Sequence, residues 1–400
     1  MQNINNNYLI KNAIIITPFK TIERHNLFIE DGKITRIVKK NVSIPDIKKF
    51  KILDLEGKYF LAPGFLDIHT HGGGGEDCLG GDLEVISKYK LKQGVTGYLA
   101  TLMTSPLDLV YEAFESIKKF NKSGEDTLLP KILGVHFEGP YLSKKYKGAQ
   151  PLEYLRMPDL AECKEIITRS DGLLRIMTIA PELDKSLEVI ELLSSYGIIS
   201  SVGHSDASIE DLDLAIKNGL SHVTHAFNAF GEMRFSEPGV RHPGPEGYVL
   251  VKDELKLEII SELTHVNPAI MEIAYKTKGA ENIIIITDSM SVSGLKPGKY
   301  KIGIMDLILE KNSDVARLLD GGLAGSVVPL NKAVRTFFEN TSATLNEAIQ
   351  MASYNPASSL GISYRKGSIE VGKDADLIVF DKNFEIKKVF IEGKLALNEG

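Results

Sequence analysis

The stretch Pro63-Gly64-Phe65-Leu66-Asp67-Ile68-His69-Thr70-His71-Gly72-Gly73-Gly74-Gly75 joins a short apolar run to two histidines one residue apart and then to four glycines. Side chains alternate faces along an extended chain. The spacing therefore predicts a strand that carries His69 and His71 on one face, where both can approach a single metal ion. The glycines allow a sharp exit and close backbone approach to a ligand. Two histidines in a polar turn are equally often plain solvated side chains, so the pair takes its meaning from the rest of the chain.

C-terminal to this stretch, apolar runs alternate with longer segments of helical period, the pattern of βα units and a parallel sheet. The runs are Phe65 to Ile68, Gly97 to Leu102, Ile132 to Phe137, Leu174 to Ile179, Ile198 to Val202, His222 to His225, Leu257 to Ile260 and Asn282 to Ile286. Eight is the number that closes a barrel. Between them, Leu183, Leu187, Ile190 and Leu193 sit at helical spacing before Gly197. Ser208 with Asp211 resembles a capping box, and Leu107 to Phe120 and Pro268 to Lys278 also read as helices. Residues 291–330 read as an insertion with Gly-rich turns, followed by a helical stretch from Asn331 to Leu360.

N-terminal to the stretch, the grammar is that of hairpins. Leu9 to Ile16, Asn26 to Glu30, Ile34 to Val38 and Lys51 to Leu55 are brief β-rich runs punctuated by Asp31-Gly32 and Gly57-Lys58. The tail repeats it, with Ala375 to Phe380, Val389 to Glu392 and the turn Glu392-Gly393. The expected class is thus α/β: a (β/α)8 TIM barrel over residues 62–364, with a small β-sandwich built from residues 1–61 and 365–400.

Composition narrows the function classes. A chain of 400 residues with 43% hydrophobic content can bury a large core. Only Cys78 and Cys163 occur, which excludes a disulfide framework and a multi-cysteine zinc site and fits a reducing compartment. The Asn-rich start lacks a signal peptide's features, and no apolar run approaches membrane-spanning length, so a soluble cytoplasmic protein is expected with no membrane partner. The net charge is −6 and the basic residues are scattered, which argues against nucleic-acid binding.

In this barrel type the chemistry sits at the C-terminal ends of the strands. The first run ends in His69 and His71, the third in His136-Phe137-Glu138, the fifth in Gly203-His204, the sixth in His225 and the eighth in Thr287-Asp288. Five of the nine histidines, with Glu138 and Asp288, converge on one predicted rim. Singly, His204 or Asp288 could cap a helix and Glu138 could be a surface carboxylate, but their joint placement points to a metal site. Histidine and carboxylate donors without cysteine suit zinc, iron or manganese, as one or two ions. A divalent ion lowers the pKa of coordinated water to about 7 and polarises a carbonyl, which is hydrolytic chemistry. Asp288 is the natural general base.

The motifs PGFLDIHTHG, HFEGPYL, KGAQP, GHSDA, THAFNA, EPG, ITDSM, LAGS and NPASSLG…KGSIEVGKDADLIVFD resemble, in order, those of the N-acetylglucosamine-6-phosphate deacetylase family in the amidohydrolase superfamily. The resemblance runs from about residue 9 to the end of the chain. It implies that Glu138, His204 and His225 are the principal metal ligands and that His69 and His71 hold a second ion. It also implies that Asp288 moves a proton from the attacking water to the departing sugar amine. Ala149, Gln150, Asn228, Ala229, His265 and Leu323-Ala324-Gly325 fall at substrate-contacting positions. The implied substrate is a small N-acetyl amino sugar phosphate. The implied assembly is a homodimer whose neighbouring subunit contributes to the phosphate site.

The chain departs from the family pattern at recognition positions. Ser236 stands where an Arg usually precedes EPG, which removes a bidentate phosphate partner; Arg234 and Arg241 are the nearby candidates. Glu262-Leu263 replaces an Asp-Gly ahead of His265, and position 150 is Gln where some members have His. Rival readings are deacetylation of the galacto isomer or of an unphosphorylated sugar, deamination, and a catalytically dead binding protein. The last is disfavoured because no metal-site position is missing, and deamination because no separate proton donor can be placed.

Overall fold

Each of the eight apolar runs forms a strand of one parallel sheet. The computed structural model describes residues 7–42, 47–123, 127–231, 234–235 and 239–399, with the side chains of 234, 235, 241 and 242 outside that description. The barrel strands are β1 (Phe65–Thr70), β2 (Val95–Met103), β3 (Lys131–Glu138), β4 (Leu174–Ile179), β5 (Ile199–Val202), β6 (Leu220–Val223), β7 (Lys256–Ile260) and β8 (Ile283–Ile286). They pair in chain order, as a (β/α)8 barrel requires. The barrel closes between β1 and β8 through a parallel bridge from Thr70 to Ser289, with the Asp288 amide donating to the His69 carbonyl at 2.9 Å. The four isoleucines of β8 are all buried, because barrel strands are covered on both faces and read as unbroken apolar runs. The sixth strand begins and ends two residues earlier than its apolar run, so His225 lies in the turn beyond it.

Helices α1 (Leu83–Leu91), α2 (Leu107–Ser123), α3 (Leu160–Ser170), α4 (Ser186–Ser195), α5 (Ile209–Lys217), α6 (Gly244–Leu250), α7 (Pro268–Lys278) and α8 (Leu330–Asn340) follow the strands in turn. On α2, Val110, Ala113, Phe114 and Ile117 form the buried stripe expected of helical period. Ser208 and Asp211 make the capping box that starts α5. Leu183 lies outside α4, contrary to the periodicity. Lys185 at the helix start has a left-handed backbone, φ 64°, which a right-handed helix cannot run through, so Leu183 sits in a turn instead. The stretch from 331 to 360 is three helices: α8, α9 (Leu345–Ala352) and α10 (Tyr354–Ser359). Leu360 closes the bottom of the barrel interior with Ile68, Leu99, Ile176, Ile260, Ile284 and Ile286.

The insertion is not merely turns. Gly298–Ile302, Met305–Leu309, Val315–Leu318 and Leu323–Ser326 form an antiparallel sheet with its own apolar cluster, including Met290, Met305, Leu307 and Ala316. The chain ends meet in one further sheet. Tyr8–Ile16 is its hub, pairing with Thr21–Glu30, Lys51–Asp54 and Phe60–Pro63, and Leu377–Phe380 joins the last of these ahead of Ile386–Ile391 and Lys394–Asn398. One core of Ile10, Ile15, Leu27, Ile29, Leu61, Leu377 and Phe390 sits inside this sheet. Ile378, Phe380, Ile386 and Val389 pack the other way, onto the barrel.

Candidate active site

The strand ends deliver their polar residues to one point. The imidazole Nε2 atoms of His204 and His225 lie 3.0 and 2.9 Å from Glu138 Oε1, and His71 Nε2 lies 3.2 Å from Glu138 Oε2. Asp288 Oδ1 is 3.2 Å from His71 Nε2 and 3.5 Å from His69 Nε2. His204, His225 and Asp288 all have left-handed backbones, with φ of 50°, 28° and 46°. Each follows the end of its strand, where the chain turns sharply and swings the side chain over the barrel mouth.

Hydrogen bonds fix which nitrogen each ring presents. His69 Nδ1 is bonded to the buried Glu258 at 2.9 Å, and His204 Nδ1 to the Tyr146 carbonyl at 2.9 Å, so both aim Nε2 at the centre. Among the described residues three buried groups have donor atoms within 4.8 Å of one another: Glu138, His204 and His225; His69, His71 and Glu138; and His69, His136 and Glu258, the last tied up in hydrogen bonds of its own. Buried His69 Nε2 and Asp288 Oδ1 have no hydrogen-bond partner, as expected of atoms that face an ion or its water. The residues thus fit a divalent metal, and histidine with carboxylate oxygen is a donor set of the zinc, iron or manganese type. His136, on the predicted rim, is committed elsewhere: Nε2 to the Thr178 hydroxyl at 2.8 Å and Nδ1 to the Ile68 carbonyl at 3.2 Å.

The electrostatics are those of an anionic pocket. Burial works against ionisation of Glu138, yet hydrogen bonds from His204, His225 and His71 hold its carboxyl well below the usual carboxylate range. Burial likewise opposes ionisation of Asp288, and the His71 and His69 imidazoles beside it overcome that cost, so its pKa is also lowered. His71 is pushed up to about 10 against the effect of burial, through the Asp288 and Glu138 carboxylates beside it. His225 rises to about 9, again against burial, through Glu138. A divalent ion serves the same carboxylates and competes with these imidazole protons.

Above the cluster opens a cavity of about 360 Å³. Ala149, Gln150, Asn228, Ala229, His265, Leu323, Ala324 and Gly325 all line it, with His71, Glu138, His204, His225 and Asp288 at its floor. Gln150 also donates to Glu138 Oε2 at 2.6 Å and accepts from the Thr104 amide at 2.9 Å, so it braces the carboxylate shared by the donor sets as well as facing the cavity. His265 Nδ1 donates to Glu262 Oε1 at 2.6 Å, so the residue in place of the family's Asp still anchors that ring. Gly325 packs so closely that a Cβ there would lie 2.9 Å from the Asp288 carbonyl. Ser236 lies outside the described residues, as do the side chains of Arg234 and Arg241; the backbone of Arg234–Phe235 pairs antiparallel with that of Arg241–His242.

Gly72 to Gly75 make the sharp exit from the strand. Gly72-Gly73 pairs with Glu76-Asp77 in a tight hairpin, and a Cβ on Gly73 would sit 2.3 Å from the Tyr89 ring. Glu258 escaped the sequence reading, although a lone acid inside the apolar run Leu257-Glu258-Ile259-Ile260 was a signal for a buried, partnered carboxylate.

An amidohydrolase family model matches residues 60–396. The chain belongs to the amidohydrolase family. It is 35% identical over 392 residues to the N-acetylglucosamine-6-phosphate deacetylase of Bacillus subtilis (strain 168), covering 97% of this chain and 96% of that one. It is 31% identical to the N-acetylgalactosamine-6-phosphate deacetylase of Escherichia coli O157:H7, covering 97% and 99%. The crystal structure of the Thermotoga maritima N-acetylglucosamine-6-phosphate deacetylase superposes with a TM-score of 0.85 at 30% identity, covering 98% and 99%. Among the described residues of this amidohydrolase, no helix is long and apolar enough to cross a membrane.

Proposed function

We propose that this amidohydrolase removes the acetyl group of N-acetylglucosamine 6-phosphate, giving glucosamine 6-phosphate and acetate. The observation that carries the reading is Asp288 on the cavity floor, its carboxylate within 3.2 Å of His71 and beside the Glu138, His204 and His225 donor set. Full-length similarity to named deacetylases supports the substrate class.

In this reading Glu138, His204 and His225 hold one divalent ion and His69 with His71 a second, zinc being the first choice. Such an ion supplies Lewis acidity toward a carbonyl oxygen and lowers the pKa of water to about 7. Asp288, an ionised carboxylate on the cavity floor, takes a proton from the attacking water and returns it to the departing nitrogen as the C–N bond breaks. One water is consumed, and the products are acetate and the free amine. Gln150, Asn228, Ala229, His265 and the Leu323-Ala324-Gly325 strand orient the sugar, and Arg234 or Arg241 takes the phosphate in place of the Arg that Ser236 replaces. The barrel over residues 62–364 carries this chemistry, in a cytoplasmic homodimer; the buried, free Cys78 and Cys163 support the reducing compartment.

The second reading is the galacto isomer, favoured by the Escherichia coli relative and by the departures at Ser236 and Glu262-Leu263. Incubating metal-loaded protein with N-acetylglucosamine 6-phosphate, its galacto isomer and both unphosphorylated sugars, with assay of acetate and amine, separates these readings. Acetate released fastest from the gluco phosphate is the expected result, and no acetate from any substrate sinks deacetylation.

A further inference from the structure

Every neighbouring pair of barrel strands is joined by a parallel ladder except the closing pair, β1 and β8, which meet through the single bridge from Thr70 to Ser289. That seam matters for chemistry because β1 carries His69 and His71, and Asp288 follows β8. Its remaining backbone bonds are few: the Asp288 amide to the His69 carbonyl at 2.9 Å, and the His71 and Gly72 amides to the Ser289 carbonyl at 2.9 and 3.0 Å.

Beneath the seam lies an ion pair that the proposed chemistry does not use. Asp67 on β1 and Lys90 on α1 are both fully buried, with Lys90 Nζ 2.8 Å from Asp67 Oδ2. The same carboxylate takes both donors of Thr287, the residue before Asp288: the hydroxyl at 2.6 Å on Oδ2 and the amide at 3.3 Å on Oδ1. Lys90 Nζ also donates to the Thr287 hydroxyl at 3.2 Å, and that hydroxyl in turn accepts from the Ser289 amide at 3.2 Å. Asp288 is thus flanked on both sides by residues tied to one buried hydroxyl.

Burying two charges costs several kcal/mol of desolvation, which mutual attraction seldom more than offsets, so such a pair is poor evidence of added stability. A fixed charge does hold a hydrogen-bonded neighbour to one geometry. We infer that Asp67 and Lys90 are positioning residues that act through Thr287 to set Asp288 against the β1 histidines across a seam that has almost no ladder. This inference rests on the general-base reading of Asp288.

The test is Thr287→Val, which keeps the shape and removes the hydroxyl, with Thr287→Ser as the rescue. Steady-state kinetics, bound metal and thermal midpoint are measured for each. The valine variant is expected to lose roughly tenfold to a hundredfold in kcat. Its KM should stay within about twofold of the parent, as for an interaction made in the transition state only. Metal content should be unchanged, and the serine variant should recover turnover. A second variant avoids an unpaired charge: Asp67→Asn combined with Lys90→Met folds and shows the same kcat loss. Turnover within about twofold of the parent in Thr287→Val overturns the inference, as does a loss that tracks missing metal or raised KM. Asp288→Asn run alongside keeps the two ideas apart. Turnover surviving there fails the general-base reading, whereas collapse there without collapse in Thr287→Val fails this inference alone.

Discussion

A carboxylate at the mouth of a barrel can be a surface acid, a metal ligand or a base, and at position 288 the surroundings decide. Asp288 Oδ1 is buried, has no hydrogen-bond donor of its own and faces two imidazoles at 3.2 and 3.5 Å. Asp288→Asn preserves that shape and removes the basic oxygen. It is expected to retain bound metal while losing about 10²–10⁴-fold in turnover, read from acetate release and metal analysis on one sample. Near-parent turnover means the proton is handled elsewhere. The residues at the barrel mouth are legible in the sequence because strand ends are the places where this architecture exposes side chains. The partners of Glu258, Asp67 and Lys90 are not, since they lie 189, 220 and 23 residues away and no local period announces a contact at such separations.

Elements were read best where one period ran unbroken, as on α7, whose Pro268–Lys278 span matches its expected limits. The inserted sheet was missed although Met305, Leu307 and Leu309 alternate inward with a period of two, because its strands are only four or five residues long and the turns dominate the composition. The turn after β7 holds a testable misfit. Leu263 adopts a left-handed backbone, φ 76°, at a position where the resembling family carries glycine, and its side chain is 42% exposed. A branched residue there costs roughly 1–2 kcal/mol and gains little from burial. Glycine relieves that strain but gives back about 0.5–1 kcal/mol of unfolded-chain entropy. Leu263→Gly should therefore raise unfolding free energy by roughly 0.5 kcal/mol in a urea titration. A clear fall in the midpoint shows that the leucine makes contacts worth more than the strain.

At the scale of the whole molecule the chain's two ends are pinned together. The Asp31-Gly32 and Glu392-Gly393 turns abut so closely that a Cβ on Gly393 would lie 2.7 Å from Gly32 Cα, and Lys33, Arg365 and Lys366 gather on Asp374 nearby. That both ends share a sheet was legible from their common hairpin grammar, whereas the register was not, because pairing across more than three hundred residues leaves no trace in either segment alone. Global stability should also carry a signature far from the cavity. His222 in β6 is buried between the hydroxyls of Ser221 and Ser359, each 2.9 Å from a ring nitrogen. Burial, with the nearby Lys256 charge, lowers its pKa from 6.5 to about 3. Between those values the unfolded chain binds a proton that the folded one refuses. Stability is therefore complete above pH 6.5 and falls as pH drops through this window, by about 1.4 kcal/mol per pH unit for this group. His222→Gln keeps a hydrogen-bonding side chain that does not titrate. Whatever its stability at pH 7.5, the difference between unfolding free energies at pH 7.5 and pH 5 should shrink by roughly 2 kcal/mol relative to the parent. An unchanged difference means that His222 is already protonated in the fold, with Ser221 and Ser359 both accepting from it.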